Sequence, residues 1–152
     1  MTVYAESSAV LAWLLGEAGG EEVRRLLAGA SEVYTSVLTL VETDRVLIRA
    51  QMLEALKEED VVGRRRVLAR ASRRWHLLQL HEEILDRARR PFPGEPIRTL
   101  DALHLASALL HVPPCLNWPS SAWIAPFEGQ ASISTLRCFR RPGPDPRCES
   151  QA

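Results

Sequence analysis

Short β-favouring runs alternate with helical patterns from the first residues to residue 111, and that alternation leaves few folds open. Residues 2–6 form a strand candidate in which Val3 and Tyr4 favour β structure. Ser7 or Ser8 is positioned to cap a helix over 9–15, which Gly16, Gly19 and Gly20 break. Residues 21–28 put Val23, Leu26 and Leu27 on one helical face and Glu and Arg on the other. A second strand over 32–35 leads into Ser36, a cap for a long helix from Leu38 to about Leu56. Leu38, Val41, Arg45 and Ile48 share one stripe of that helix, and Leu40, Leu47 and Met52 lie near another. Helices over 58–72, 81–90 and 99–111, a third strand over 75–80 and a Pro/Gly loop over 91–96 complete the series.

Alternating strands and helices predict an α/β fold, a parallel sheet with helices on its faces. Ligands and active sites in such sheets gather at the carboxyl ends of the strands. Glu6 and Ser36 both fall where a strand ends and a helix begins.

Beyond residue 111 the pattern is lost. Seven of the ten prolines lie there, at positions 113, 114, 119, 126, 142, 144 and 146, together with all three cysteines. Residues 131–139 could make one strand, and the Pro/Gly run over 142–146 predicts disorder. The expected organisation is one patterned domain over 1–111 and a Pro-rich, poorly ordered tail over 112–152. An odd cysteine count with no C-x-x-C spacing argues against a zinc site or a disulfide framework.

Length and charge exclude several classes. A chain of 152 residues is one domain's worth. Its 19 basic and 19 acidic residues cancel, so no overall basic balance advertises a nucleic-acid partner. Lys57 is the only lysine, a bias that follows from GC-rich codons. Apolar runs such as 10–15 fall far short of the ~20 residues that a membrane span needs. The chain opens on a strand-like run interrupted by Glu6, so a cytoplasmic protein without a secretory signal is expected. No Gly-rich loop follows the first strand, which argues against a dinucleotide site. Arg64, Arg65, Arg66, Arg70, Arg73 and Arg74 form a basic helix end, which reads as a solvated face before it reads as a phosphate-binding one.

Three acids stand among apolar neighbours: Glu6 at a strand end, Glu42 in the first turns of the long helix, and Asp101 near the start of the last helix. An acid in such a setting must face a cleft, pair with a cation or bind a metal. Clustered carboxylates repel one another and raise each other's pKa, and a hard divalent cation removes that penalty. Mg²⁺ and Mn²⁺ prefer oxygen ligands and promote phosphodiester hydrolysis by activating water. Each acid has a plainer reading. Glu42 can pair with Arg45 or Arg49, and Asp101 can serve the helix N-terminus. His104 reads as a satisfied structural residue, Ser8 as a helix cap, and Trp13, Leu14 and Leu15 as core or dimer surface.

Taken together, the three segments carry a resemblance. Tyr4-Ala5-Glu6-Ser7-Ser8-Ala9-Val10 resembles the opening of PIN-domain proteins, an apolar strand ending in Asp-x-Ser-Ala. Ser36-Val37-Leu38-Thr39-Leu40-Val41-Glu42, with Arg49, is similar to their second motif. Arg98-Thr99-Leu100-Asp101-Ala102-Leu103-His104-Leu105-Ala106 is similar to their third. Within that family the chain looks most like VapC-type toxins of type II toxin–antitoxin modules. The resemblance implies a three-layer α/β PIN-like fold and an endoribonuclease that depends on Mg²⁺ or Mn²⁺. It implies an RNA substrate, a small antitoxin partner and a homodimer, away from membranes. It casts Glu6, Glu42 and Asp101 as catalytic metal ligands and the Ser8 hydroxyl as holder of a metal-bound water.

Two departures from the family pattern stand out. The strand-end acid is Glu6 where the family has Asp, one methylene longer. The family also expects an acid after Asp101, at the end of a fourth strand, and the next acid here is Glu128, in a Pro/Gly setting. Codon arithmetic offers a reason. Trp is encoded only by TGG and every Ile codon begins AT, so Trp123-Ile124 contains GAT, an Asp codon, across its boundary. Asn117-Trp118 likewise contains a Leu codon and Trp118-Pro119 an Ala codon in the same offset frame. With GC-rich codons, residues 115–124 in that frame read as an apolar strand ending in Asp. The reading predicts a change of frame near residues 111–115, in the gene or in its sequencing. The rival to a nuclease is a catalytically impaired PIN-fold module that only binds antitoxin or RNA. An unrelated α/β phosphatase-like enzyme is the weaker third reading.

Overall fold

The computed structural model describes residues 1–111. The expectations for the tail, the strand at 131–139 and the frame change all lie outside the described residues.

Three short parallel strands form the sheet: β1 (Thr2–Tyr4), β2 (Glu32–Ser36) and β3 (His76–Leu78), in the order β1-β2-β3. Val3 pairs with Val33, and Tyr4, Tyr34 and His76 stand in register across the three strands. Parallel neighbours need a crossover. Here α1 (Ser7–Leu15) and α2 (Gly20–Gly29) connect β1 to β2, and α3 (Val37–Met52) and α4 (Glu58–Ser72) connect β2 to β3. After β3 come α5 (Glu82–Ala88) and α6 (Thr99–His111).

Strand alternation sends consecutive side chains to opposite faces, so each face has its own core. Val3, Ala5 and Val33 join Ala9 and Val10 of α1, Val23 and Leu27 of α2 and Leu68 of α4 in one cluster. Trp13 and Trp75 pack against it with ring centroids 6.4 Å apart, so Trp13 serves the core. The second cluster joins Ile84 of α5 and Phe92 to Ala102, Leu105 and Ala106 of α6, the helix that packs on β2. Helices on both faces of a parallel sheet are the expected three-layer α/β architecture.

Three local expectations need correction. The N-cap of α1 is Glu6 rather than a serine, and no side chain caps that helix. Ser36 does cap α3, its Oγ accepting from the Leu38 N–H at 3.2 Å. That helix stops at Met52, short of Leu56, because Glu54 adopts a left-handed φ of 59°. Its buried face is also not the stripe of Leu38, Val41, Arg45 and Ile48: Thr39, Thr43 and Leu47 are inside, Leu40 packs on the core, and Val41 is 57% exposed.

Thr39 and the buried Thr35 bond the chain at the end of β1. The Thr35 hydroxyl donates to the Ala5 carbonyl at 2.6 Å, and Thr39 Oγ1 lies 2.9 Å from Thr35 Oγ1. With the Thr35 proton on Ala5, Thr39 is the donor of the second bond. Together with the bond from Ala5 N–H to Tyr34 O at 2.8 Å, they fix the chain immediately before Glu6.

Candidate functional site

Glu6 leaves β1 and opens α1, at the carboxyl edge of the sheet. Its Oε1 accepts from the Ser8 hydroxyl at 2.6 Å, so Ser8 serves the carboxylate and not the helix end. Glu42 reaches toward the same turn from α3, where the Ser7 hydroxyl hydrogen-bonds it. Two carboxylates from different elements are thus anchored on consecutive serines at the start of α1.

Glu42 pairs with neither arginine on its own helix. Its Oε2 lies 2.6 Å from His104 Nε2, across the site on α6. The other ring nitrogen, Nδ1, is 3.0 Å from the Tyr4 hydroxyl. Histidine 104 is 5% exposed and Tyr4 1%, so this chain of Tyr4, His104 and Glu42 runs from the core outward to a part-buried carboxylate. The reading of His104 as a satisfied buried residue is correct, and one of its partners is a candidate site residue.

Electrostatics fix the protonation along part of this chain. Burial works to raise the Glu42 pKa. The hydrogen bond and charge of His104, with the Ser7 hydroxyl, outweigh it, and the net shift is downward from 4.5. An ionised carboxylate only accepts, so Nε2 of His104 carries a proton. Burial pushes the Tyr4 hydroxyl strongly upward, the neighbouring Ser107 hydroxyl opposes that, and the negative charges of Glu6 and Glu42 push it further; the backbone at Ser36 works the other way. Tyr4 is therefore a neutral phenol, and it feels both carboxylates.

Asp101 is exposed in the first turn of α6, three residues before His104 and so on the same side of the helix. The third acid therefore stands one turn from the ring that holds the second. Among the described residues, no three His, Cys, Asp or Glu side chains are grouped closely enough to hold one ion. Mg²⁺ needs only one or two direct carboxylates and keeps several waters. The all-oxygen donors Glu6 and Glu42 fit that demand, whereas a ready-made shell of three direct carboxylates is not formed among the described residues.

Sequence reasoning missed Tyr4, Ser7 and Ser107. Tyr4 looked like a β-favouring core residue, and nothing local connects it to His104, a hundred positions away. One signal was available: His104 and Asp101 are spaced to share a helix face. In the basic run, Arg65 pairs with Asp44 of α3 at 2.7 Å and Arg64 donates to the Leu14 carbonyl at 3.1 Å, so two of the six arginines tie helices together.

Comparison with known proteins places the fold in a family. The PIN domain family model matches residues 3–112, most of the chain, and the chain belongs to the PIN domain family. In fold it is similar to the crystal structure of Mycobacterium tuberculosis VapC20, described as a Sarcin-Ricin loop cleaving toxin. That similarity covers 72% of this chain and 82% of the other, with a TM-score of 0.52 and 19% identity. No curated protein sequence gives a significant match. No helix among the described residues is long and apolar enough to cross a membrane.

Proposed function

We propose that this chain is an endoribonuclease of the VapC toxin type, hydrolysing RNA phosphodiester bonds with the help of Mg²⁺ or Mn²⁺. The observation that carries the reading is the meeting of Glu6 and Glu42 on Ser8 and Ser7 at the carboxyl edge of the sheet, in a PIN-family chain. The fold shared with a Sarcin-Ricin loop cleaving toxin supports the same class.

In this reading Glu6 and Glu42 hold the ion directly and Asp101 takes part from the start of α6. Bound there, the ion lowers the pKa of water and stabilises charge on the phosphoryl oxygens. The chain's own residues supply the rest. Ser8 and Ser7 orient the two carboxylates, His104 fixes Glu42, and the neutral Tyr4 phenol adds no charge to the site. A small antitoxin that blocks the site, a homodimer and a cytoplasmic setting complete the proposal.

The test is cleavage of a structured RNA by the full chain with Mg²⁺, with Mn²⁺ and with excess chelator. Metal-dependent cleavage lost in Glu42→Gln and slowed in Asp101→Asn is expected. RNA bound but left intact under all conditions would favour the impaired binding module, which the lack of a grouped three-acid shell among the described residues makes the second reading.

A further inference from the structure

Glu42 reaches the site on a long, half-buried side chain from α3, and its rotamer is not fixed by its own helix. Two donors hold it. One is the Ser7 hydroxyl, and the other is Nε2 of His104 at 2.6 Å. The ring is itself buried and engaged on its other side. It is 5% exposed, Tyr4 engages its Nδ1 at 3.0 Å, and the Tyr4 ring meets it edge-on with centroids 6.1 Å apart. Tyr4 belongs to β1, whose end carries Glu6. One unbroken contact chain thus sets the position of Glu42 relative to the strand that delivers Glu6.

We propose that His104 is a positioning residue: braced by Tyr4, it holds the Glu42 carboxylate in place to receive the divalent ion. This rests on the metal-dependent reading above. A histidine kept only for packing would not need a 2.6 Å bond to a part-exposed acid, because the α6 face around it is already filled by Ala102, Leu105 and Ala106. A carboxylate fixed by a buried donor loses little further freedom on binding, and groups that orient metal ligands commonly carry about a tenfold to hundredfold share of affinity.

The experiment measures Mn²⁺ binding to the full chain without RNA, by calorimetry, with thermal melts in chelator alongside. Gln at position 104 can put an amide N–H near the place of Nε2, facing Glu42. Asn is too short and can replace only Nδ1. The expected result is Mn²⁺ affinity reduced about tenfold to a hundredfold in His104→Asn and largely restored in His104→Gln, while the two variants melt at similar temperatures. Affinity unchanged in His104→Asn, or reduced equally in both variants, overturns the positioning role. Should the position-104 variants fail to fold, Tyr4→Phe decides, because it keeps the ring and removes only the brace. A several-fold loss of affinity there supports the proposal and an unchanged affinity overturns it. Glu42→Gln separates the two levels. If the parent shows no Mn²⁺ binding that depends on Glu42, the metal reading falls and takes the proposal with it. If that dependence holds and the His104 variants bind normally, only the positioning role falls.

Discussion

The Thr35 hydroxyl donates to the Ala5 carbonyl oxygen at 2.6 Å, joining the end of β2 to the residue before Glu6. Both partners are fully buried. Thr35→Val keeps the shape and removes the donor, leaving a buried acceptor short of its partner, a loss of about 1–3 kcal/mol. Thr39 Oγ1, 3.4 Å from the same carbonyl, can recover part of it, so the single variant should fall at the lower end. The double variant with Thr39→Val should cost more than the sum of the singles, because each hydroxyl covers for the other. Denaturant melts of the four proteins check this, and strict additivity would show that the two hydroxyls act independently.

Glu42 gives the fold a pH dependence of known sign. Its pKa is lower in the folded chain than the ordinary 4.5, since the His104 and Ser7 bonds overcome the opposing effect of burial. A carboxyl depressed by folding stabilises the native state above its unfolded pKa, and the contribution is lost as pH falls through the folded value. The metal-free parent should therefore lose stability below about pH 4.5 more steeply than Glu42→Gln, which has no proton to take up. Thermal melts of both proteins across the acid range measure the difference. Parallel curves would mean that Glu42 gains nothing from its partners on folding.

The order of elements was legible because each strand and helix states its own period. Ser36 announced itself as a cap, and glycines marked the turn between α1 and α2. The buried face of α3 was not legible, because hydropathy pointed to Val41 and Ile48 while packing put Thr39 and Thr43 inside, Thr39 bonded to the Thr35 hydroxyl and Thr43 to no partner among the described residues. Of the site, Glu6, Glu42 and Asp101 stood out as acids among apolar neighbours. Their supports did not. A tyrosine in a strand and a histidine in an apolar helix look like core, and the bond between them spans a hundred residues that no local pattern can bridge.

Gly20 is a packing requirement at the start of α2. A Cβ there would overlap the backbone carbonyl of Ala12 in α1, and backbone cannot swing aside as a flexible side chain can. Alanine is the better helix former, yet Gly20→Ala should destabilise the protein by about 1–3 kcal/mol, the range for overpacked interiors. Gly63→Ala in α4, where a Cβ meets nothing within 4 Å, is the control and should be neutral or stabilising. A stabilised Gly20→Ala would mean that the α1–α2 contact is looser than its geometry.

Asp101 separates a helix-terminal role from a site role. As an exposed acid in the first turn of α6 it gains at most about 0.3–1 kcal/mol from the helix dipole. Asp101→Asn should thus move the melting temperature by only a few degrees. If the acid takes part in metal-dependent cleavage, the same change should slow RNA cleavage by roughly tenfold to a hundredfold, as losses around a metal site do. A variant that cleaves normally would return Asp101 to the helix terminus and leave Glu6 and Glu42 to act alone.

The last prediction concerns the gene. The family match stops at residue 112, and the sequence loses its strand–helix pattern at the same place. Trp118 and Trp123 have only one codon each, which forces Leu, Ala and Asp codons into one shared offset frame. Three forced residues of the kind an apolar strand ending in an acid requires point to a change of frame near residues 111–115. Resequencing from codon 105 should reveal a one- or two-base difference that restores it. The protein translated in that frame gains an Asp, and a further carboxylate should tighten Mn²⁺ binding relative to the present chain. If the nucleotide sequence stands, cleavage by this chain must come from Glu6, Glu42 and Asp101, and the comparison of Asp101→Asn with its parent becomes the decisive assay.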